Sequence, residues 1–423
     1  MTDNNQLPAN APLAERSFDE LSLSPAMRAA LKQLGYQSMT PIQAASLPIT
    51  LAGHDLIAQA KTGSGKTAAF AITVLTNLNP RWFAVQAMVL CPTRELADQV
   101  TQEIRRLARF EDNIKVLALC GGTTMRPQMA SLEHGAHIVV GTPGRIIDHL
   151  QRGSLMLHDA TYLVLDETDR MLDMGFEDQI MQVLKYLPQQ RQTLLFSATL
   201  PPAILKLSEK YLRNPIRVEV GETNKVADRI DNKSVNVTNE EKYNLLVKEL
   251  KERTGTAIIF VKAKYGTEKL AAKLKKSGFT ADAIHGDLEQ RQRERVLNAF
   301  REQKHRILVA TDIASRGLDI PHIEHVINYD LPQAPEDYIH RLGRTARAGA
   351  DGAAISFIAP EDALKWRAIQ KLLNPDAKFE PLPAGTPGMK KRSRGGRNRR
   401  PGGGNGGQGG GNRHSGAPRA AAN

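Results

Sequence analysis

Apolar positions along this chain gather in short unbroken runs separated by longer amphipathic stretches. The runs lie at 55–60 (DLIAQA), 87–91 (AMVLC), 137–140 (HIVV), 161–165 (TYLVL) and 193–196 (TLLF). Continuous rather than alternating hydrophobicity over so few residues suits strands of a parallel sheet covered on both faces. The intervening stretches predict helices, for example over 98–110, where Val100, Ile104 and Leu107 share one face. After a polar stretch at 221–234 a second series begins, with strands expected at 256–261 (TAIIFV), 306–310 (RILVA), 325–329 (HVINY) and 353–358 (AAISFI). The pattern therefore predicts an α/β protein of two tandem doubly wound domains, spanning 18–220 and 235–375, with a linker at 221–234 and a cleft between them.

Length and composition agree with two domains. The chain has 423 residues, enough for two separate cores. No run approaches the ~18 apolar residues of a membrane-spanning helix, and residues 1–17 are polar, without an export signal. These residues are expected to be disordered. Cys91 and Cys120 are the only cysteines, too few for a multi-thiolate zinc site, and they point to a reducing cytoplasm.

The net charge is +12, from 57 basic and 45 acidic residues. Its distribution matters more than its sum, because residues 385–423 hold nine of the basic residues and no acid, which leaves +3 for the rest. That segment also has 13 glycines and almost nothing to bury. It is expected to be disordered, as part of a tail over 376–423, and to hold RNA by charge rather than by base stacking.

The segment Ala60-Lys61-Thr62-Gly63-Ser64-Gly65-Lys66-Thr67 follows one expected strand and opens an expected helix, the setting of a phosphate-binding loop. Glycines there let backbone N–H groups turn toward phosphates, and the helix N-terminus adds partial positive charge. Lys66 would neutralise the β and γ phosphates of a nucleotide, and Thr67 would bind Mg²⁺. Asp166-Glu167-Thr168-Asp169 follows the strand TYLVL, at the sheet edge where α/β proteins place ligands. Alone, such a cluster reads as a helix N-cap. Beside a phosphate loop, Asp166 becomes the partner of Mg²⁺ and Glu167 the group that deprotonates a hydrolytic water.

With these motifs in place, residues 18 to 360 resemble the DEAD-box family of ATP-dependent RNA helicases, bacterial type. Phe18, Gly35-Tyr36 and TPIQ at 40–43 look like its adenine-reading Q motif, with Gln43 able to donate to and accept from the adenine edge. PTRELA (92–97), Gly121-Gly122 and TPGR (142–145) match segments that line the family's RNA groove, and SAT (197–199) matches its coupling element. HGDLEQRQR (285–293), TDIASRGLDI (311–320) and HRLGRTARAG (340–349) match in the second domain.

The resemblance implies RecA-like domains, ATP and Mg²⁺ as cofactors and RNA as partner. It implies ATP contacts from Phe18, Tyr36, Gln43, the loop residues Thr62 to Thr67, and Asp319 at the ribose. Thr93, Arg94, Gly122, Thr142, Arg145 and Thr311 would touch RNA, mostly its backbone, with weak sequence preference. Asp169, Ser197, Thr199 and His340 would couple the motifs. Arg341, Arg344 and Arg347 recur every third residue, as a solvated basic face also would. The resemblance makes Arg344 and Arg347 fingers that reach the γ-phosphate from the second domain.

Two positions depart from the family pattern. Thr168 stands where alanine is usual, adding a hydroxyl, and Ala346 replaces a common glycine, adding one methyl beside the arginines. Little loss is expected from either. The core resembles relatives that act on large-subunit ribosomal RNA, but the Arg/Gly-rich tail stands where those carry an RNA-recognition domain. The tail could engage ribonucleoprotein or RNA-degradation partners. An ATP-gated RNA clamp or annealing factor would use the same residues, and a DNA translocase is disfavoured by the Q motif.

Overall fold

The computed structural model describes residues 16–60, 63–110, 113–220, 230–312, 320, 322–346, 352–374 and 377. Expectations for the N-terminal 1–15, most of the 221–234 stretch and the basic tail fall outside these residues.

Two parallel sheets organise the chain. The first contains β1 (Leu56–Gln59), β2 (Ala87–Leu90), β3 (Val116–Leu119), β4 (Ile138–Gly141), β5 (Tyr162–Leu165), β6 (Gln192–Ser197) and β7 (Ile216–Glu219), in the spatial order β3-β4-β2-β5-β6-β1-β7. The second contains β8 (Ile230–Asn236), β9 (Thr256–Phe260), β10 (Ala281–Ile284), β11 (Ile307–Ala310), β12 (Ile323–Asn328) and β13 (Gly352–Ile358), ordered β10-β11-β9-β12-β13-β8. Helices cover both faces. Successive residues of one strand consequently enter different cores: Val164 packs with Ile42, Phe70 and Phe196, while Leu163 and Leu165 pack with Ile146, Met171 and Leu195. In the second sheet Ile258 and Phe260 face one core, and Ala257 and Ile259 the other.

Each strand expected from an apolar run is present. Four further strands are not visible in that pattern. All four lie at sheet edges: β7 (IRVE), β8 (IDNKSVN) and β10 (ADAI) carry polar residues, as strands with one open side do, whereas β3 (VLAL) is an apolar run that the pattern reading passed over. Because β8 begins at Ile230 and pairs along β13, the polar stretch expected to link the domains through 234 already belongs to the second sheet. The helix expected at 98–110 runs instead from Arg94 to Leu107, followed by a 3-10 turn to Phe110. Its start is set by Thr93, whose hydroxyl accepts from the Leu96 N–H at 3.3 Å and satisfies a donor the helix itself leaves open.

Candidate active site

Strand order decides which motifs meet. β5, β6 and β1 are neighbours, and their C-terminal ends lead into the acidic motif, the SAT segment and the phosphate loop respectively. In the loop Gly63 and Gly65 adopt φ of +79° and +95°, and Gly65 caps the Lys66–Thr76 helix. A Cβ on Gly65 would stand 2.6 Å from Gln43 Nε2 and 2.9 Å from Thr40 Oγ1, so both backbone and neighbours demand glycine. Lys66 is buried, and its Nζ donates to the Ala60 carbonyl at 3.0 Å. Ser64 and Thr67 are half-buried beside it and Gly63 is exposed, while Thr62 lies outside the described residues.

Asp166, Glu167 and Asp169 are all buried, with Lys66 and Arg170 as the neighbouring cations. Asp166 Oδ1 accepts from the Glu167 N–H at 2.9 Å. Burial pushes the Asp166 carboxyl up to about 6; Lys66 opposes that rise and Glu167 adds to it. Glu167 has φ of +51°, a left-handed conformation that carries strain of about 1–2 kcal/mol in a residue with a Cβ. Its carboxylate lies 3.4 Å from Arg170 Nε. Sequence reasoning did not select Arg170; its signal was a basic residue three positions from Glu167 at the start of a buried helix.

Asp169 binds the acidic motif to the SAT segment. Its Oδ2 accepts from the Ala198 N–H at 3.1 Å, the Thr199 N–H at 2.8 Å and the Thr199 hydroxyl at 3.1 Å. Ser197 Oγ accepts from the Asp169 N–H at 3.2 Å and donates to the Thr199 carbonyl at 2.7 Å. The departure at Thr168 fits this arrangement, because its hydroxyl lies 3.2 Å from the Leu165 carbonyl and 3.3 Å from that of Phe196, at the ends of β5 and β6.

Of the Q-motif residues Gln43 reaches the phosphate loop, while Phe18 and Tyr36 pack against each other, and none is a free adenine reader. Gln43 is buried; its Oε1 accepts from the Thr40 N–H at 2.9 Å and its Nε2 donates to the Gly65 carbonyl at 3.1 Å. Each end of the amide keeps one further hydrogen-bonding position. Phe18 is a core residue, its ring edge-on to Tyr36 at 6.1 Å between centroids. The Tyr36 hydroxyl donates to Glu103, and burial followed by that carboxylate pushes the phenol well above its ordinary range.

The segments expected to line RNA sit at the ends of β2, β3 and β4. Thr93 is buried as a helix cap, Thr142 caps the Pro143–Gln151 helix, and Gly122 adopts φ of +81° beside the Arg94 guanidinium. Arg145 Nη2 donates to the Thr123 carbonyl at 3.0 Å, and its Nε lies 3.6 Å from Asp148. Thr311 is buried after β11, in the second sheet. Arg94 also reaches that half of the molecule: its Nη1 donates to Gln290 Oε1 at 3.0 Å, and the neighbouring Glu95 forms an ion pair with Arg293. The HGDLEQRQR match contained Gln290 and Arg293, but their role emerges only from the fold.

Of the arginines recurring from 341, Arg341 and Arg344 do not form a solvated face. Arg341 Nε and Nη2 grip Asp312 at 2.6 and 2.8 Å, and Nη1 donates to Asn328 Oδ1 and to the Asp330 carbonyl. Arg344 is 3% exposed, its Nε donating to the carbonyl of His340 at 3.2 Å. Arg347 and Asp319 lie outside the described residues. Ala346 has φ of +54°, so the departure there brings backbone strain as well as the methyl expected from sequence.

A phosphate loop, a buried carboxylate pair and a hydrogen-bonded coupling segment on the first of two parallel sheets define a RecA-like nucleotide-hydrolysing protein of two α/β domains. The family model for DEAD/DEAH box helicases matches residues 40–207, and that for the helicase conserved C-terminal domain matches 241–349. The chain is 47% identical to the ATP-dependent RNA helicase DbpA of Escherichia coli, over 86% of this chain and 80% of that protein. It is 45% identical to the ATP-dependent RNA helicase DeaD of Mycobacterium tuberculosis, over 86% of this chain and 65% of that one. Among solved structures, Saccharomyces cerevisiae Dbp5 bound to RNA and ADP BeF3 superposes with a TM-score of 0.78 at 36% identity, covering 85% of this chain and 94% of that one. The chain belongs to the DEAD-box family of ATP-dependent RNA helicases, which are RNA-dependent ATPases.

Proposed function

We propose that this protein closes its two domains over ATP and single-stranded RNA, locally melts short RNA duplexes, and releases the RNA after hydrolysis, in ribosome assembly or RNA turnover in the cytoplasm. The observation that carries this reading is a shared helix. The start of the Arg94–Leu107 helix holds Thr93 and Arg94, which face the RNA groove in this reading, and it also carries the contacts from Arg94 and Glu95 to Gln290 and Arg293 of the second domain. RNA and domain closure thus act on one element, and ligands that favour the same closed state bind cooperatively.

In this reading Lys66 neutralises the β and γ phosphates, Phe18, Tyr36 and Gln43 support the adenine, and Glu167 accepts a proton from the attacking water. Asp166 is buried beside Lys66 and Glu167, and burial raises it toward its neutral form, so a divalent cation there would favour its charged carboxylate. Thr67 and Asp166 would hold Mg²⁺, which when bound offsets phosphate charge. Arg344 and Arg347 complete the pocket only on closure, and Asp169, Ser197, Thr199 and His340 relay that closure. Gly122, Thr142, Arg145 and Thr311 hold the RNA backbone, and Asp319 meets the ribose.

Strand displacement on a short RNA duplex, with ATP against a non-hydrolysable analogue, tests the reading. Product strands should accumulate over many turnovers only with ATP. ATP hydrolysis and RNA retention without strand separation would replace it with an RNA clamp. The Arg/Gly-rich tail serves as an electrostatic anchor: truncation after Ala384 should raise the RNA concentration for half-maximal ATPase and flatten its salt dependence, with kcat unchanged. An unaltered salt slope would rule the anchor out.

A further inference from the structure

The Met125–Glu133 helix, which follows the Gly121-Gly122 turn, contains no fully buried residue; only Leu132 packs partly against the core. Apolar packing therefore does little to fix it. Polar contacts fix it instead, and they converge on Gln128, which had no place in the motif reading. Gln128 Nε2 donates to the Cys120 carbonyl at 3.0 Å and to Thr123 Oγ1 at 2.9 Å. Its Oε1 receives Arg145 Nη1 at 3.0 Å and stands 3.0 Å from His149 Nε2.

All four hydrogen-bonding positions of the amide are in use. The orientation follows from the partners, since a flipped amide would turn its NH₂ toward the Arg145 guanidinium, donor against donor. His149 must then donate through Nε2, which leaves Nδ1 to accept from the Ser154 hydroxyl 2.8 Å away. Burial, then the charge of Arg145, holds the His149 ring below its ordinary pKa; Arg152 acts in the same direction and Asp148 against it. The imidazole is thereby kept neutral in that tautomer.

We propose that Gln128 is a positioning residue for RNA binding: it clamps the Gly121–Thr123 turn to Arg145, so that the segments following β3 and β4 present their RNA contacts as one preformed wall. The proposal rests on the reading of Gly122 and Arg145 as RNA contacts. Preforming the wall removes ordering that RNA would otherwise have to impose, so Gln128 acts on RNA affinity and leaves ATP chemistry alone. His149 serves as its buttress, holding the oxygen end from the buried side.

The test is Gln128→Leu in the full chain, read by RNA-stimulated ATPase, RNA-independent ATPase and thermal unfolding. Losing a hydrogen bond to a charged group together with the loop tie should raise the RNA concentration for half-maximal stimulation about tenfold. The rate at saturating RNA and the RNA-independent rate should stay near wild type, while the melting temperature falls by only a few degrees, roughly 2–4 °C for each kcal/mol lost when the buried His149 N–H is left without its partner. An unchanged RNA requirement, or a fall in melting temperature with parallel loss of RNA-independent turnover, overturns the proposal.

Arg145→Ala and the double variant complete a cycle. The combined effect should fall short of the product of the single effects, because the two residues share one contact. A full product means that Gln128 does not act through Arg145. If Arg145→Ala alone leaves the RNA requirement unchanged, the failure lies in the underlying reading of the RNA wall, not in the clamp.

Discussion

At the ends of β5, β6 and β1 the first sheet gathers Lys66, Asp166, Glu167 and Asp169 from a few adjacent turns, whereas the second sheet presents Arg341 and Arg344 in surroundings that differ from each other. Arg341 is committed to Asp312, Asn328 and the Asp330 carbonyl. Arg344 is also buried, and its Nε donates to the His340 carbonyl in the last turn of the preceding helix. The first region brings its charged groups together inside one domain; the second holds one arginine gripped by Asp312, Asn328 and the Asp330 carbonyl, and one, equally buried, that the proposed reading assigns to the γ-phosphate. In the proposed reading, binding resides in one domain while hydrolysis waits for the other.

The sharpest way to break this comparison is Lys66→Ala. It removes the cation of the phosphate loop, and RNA-stimulated phosphate release should become undetectable. A rate near wild type would remove Lys66 from the site. Glu167→Gln should instead keep ATP and RNA bound together while turnover stops, since an amide cannot take the proton.

Next in size is the contrast between the arginines. Arg344→Ala should lower kcat by about 10³ with the melting temperature and nucleotide affinity of the open protein little changed. Arg341→Ala should destabilise the second domain by about 3 kcal/mol, because Asp312 and Asn328 lose the guanidinium between them. Denaturation and steady-state kinetics on both variants decide the matter, and equal behaviour would erase the distinction.

Asp166→Asn probes the opposite side of the comparison, the strain held in the first domain. A carboxyl whose folded pKa is raised to about 6 weakens the fold as pH climbs from its unfolded value through 6, and the deficit persists at neutral pH. The amide should raise stability at pH 7.5 by about 1–3 kcal/mol, an advantage that shrinks below pH 6. A less stable variant at pH 7.5 would contradict this account. The smallest effect is expected for Ala346→Gly, which relieves a left-handed φ and should stabilise the second domain by about 0.5–1 kcal/mol in thermal melts.

Motifs were legible where chemistry demands particular residue types in consecutive positions. The phosphate loop, the acidic motif and the strands buried on both faces all show in the chain, because glycine turns, a helix-starting lysine and unbroken apolar runs are local requirements. The edge strands β7 and β8 were not legible, since an edge strand carries polar residues on its solvated side. Gln128, Arg170, Gln290 and Arg293 were also missed. None is unusual in its own neighbourhood, and each has its meaning in a partner that the fold brings beside it.

The sequence by itself determined the class of fold, the nucleotide chemistry and the family, because these rest on short-range patterns of glycine, charge and hydrophobic runs. Tertiary structure alone decided that Asp169 locks onto Thr199, that Gln43 is spent partly on its own loop, and that Arg341 is committed to Asp312 and Asn328. The physical reason is that a side chain's role depends on which groups compete for its hydrogen bonds and on how far water is excluded. Both are properties of strand order and packing between residues distant in the chain.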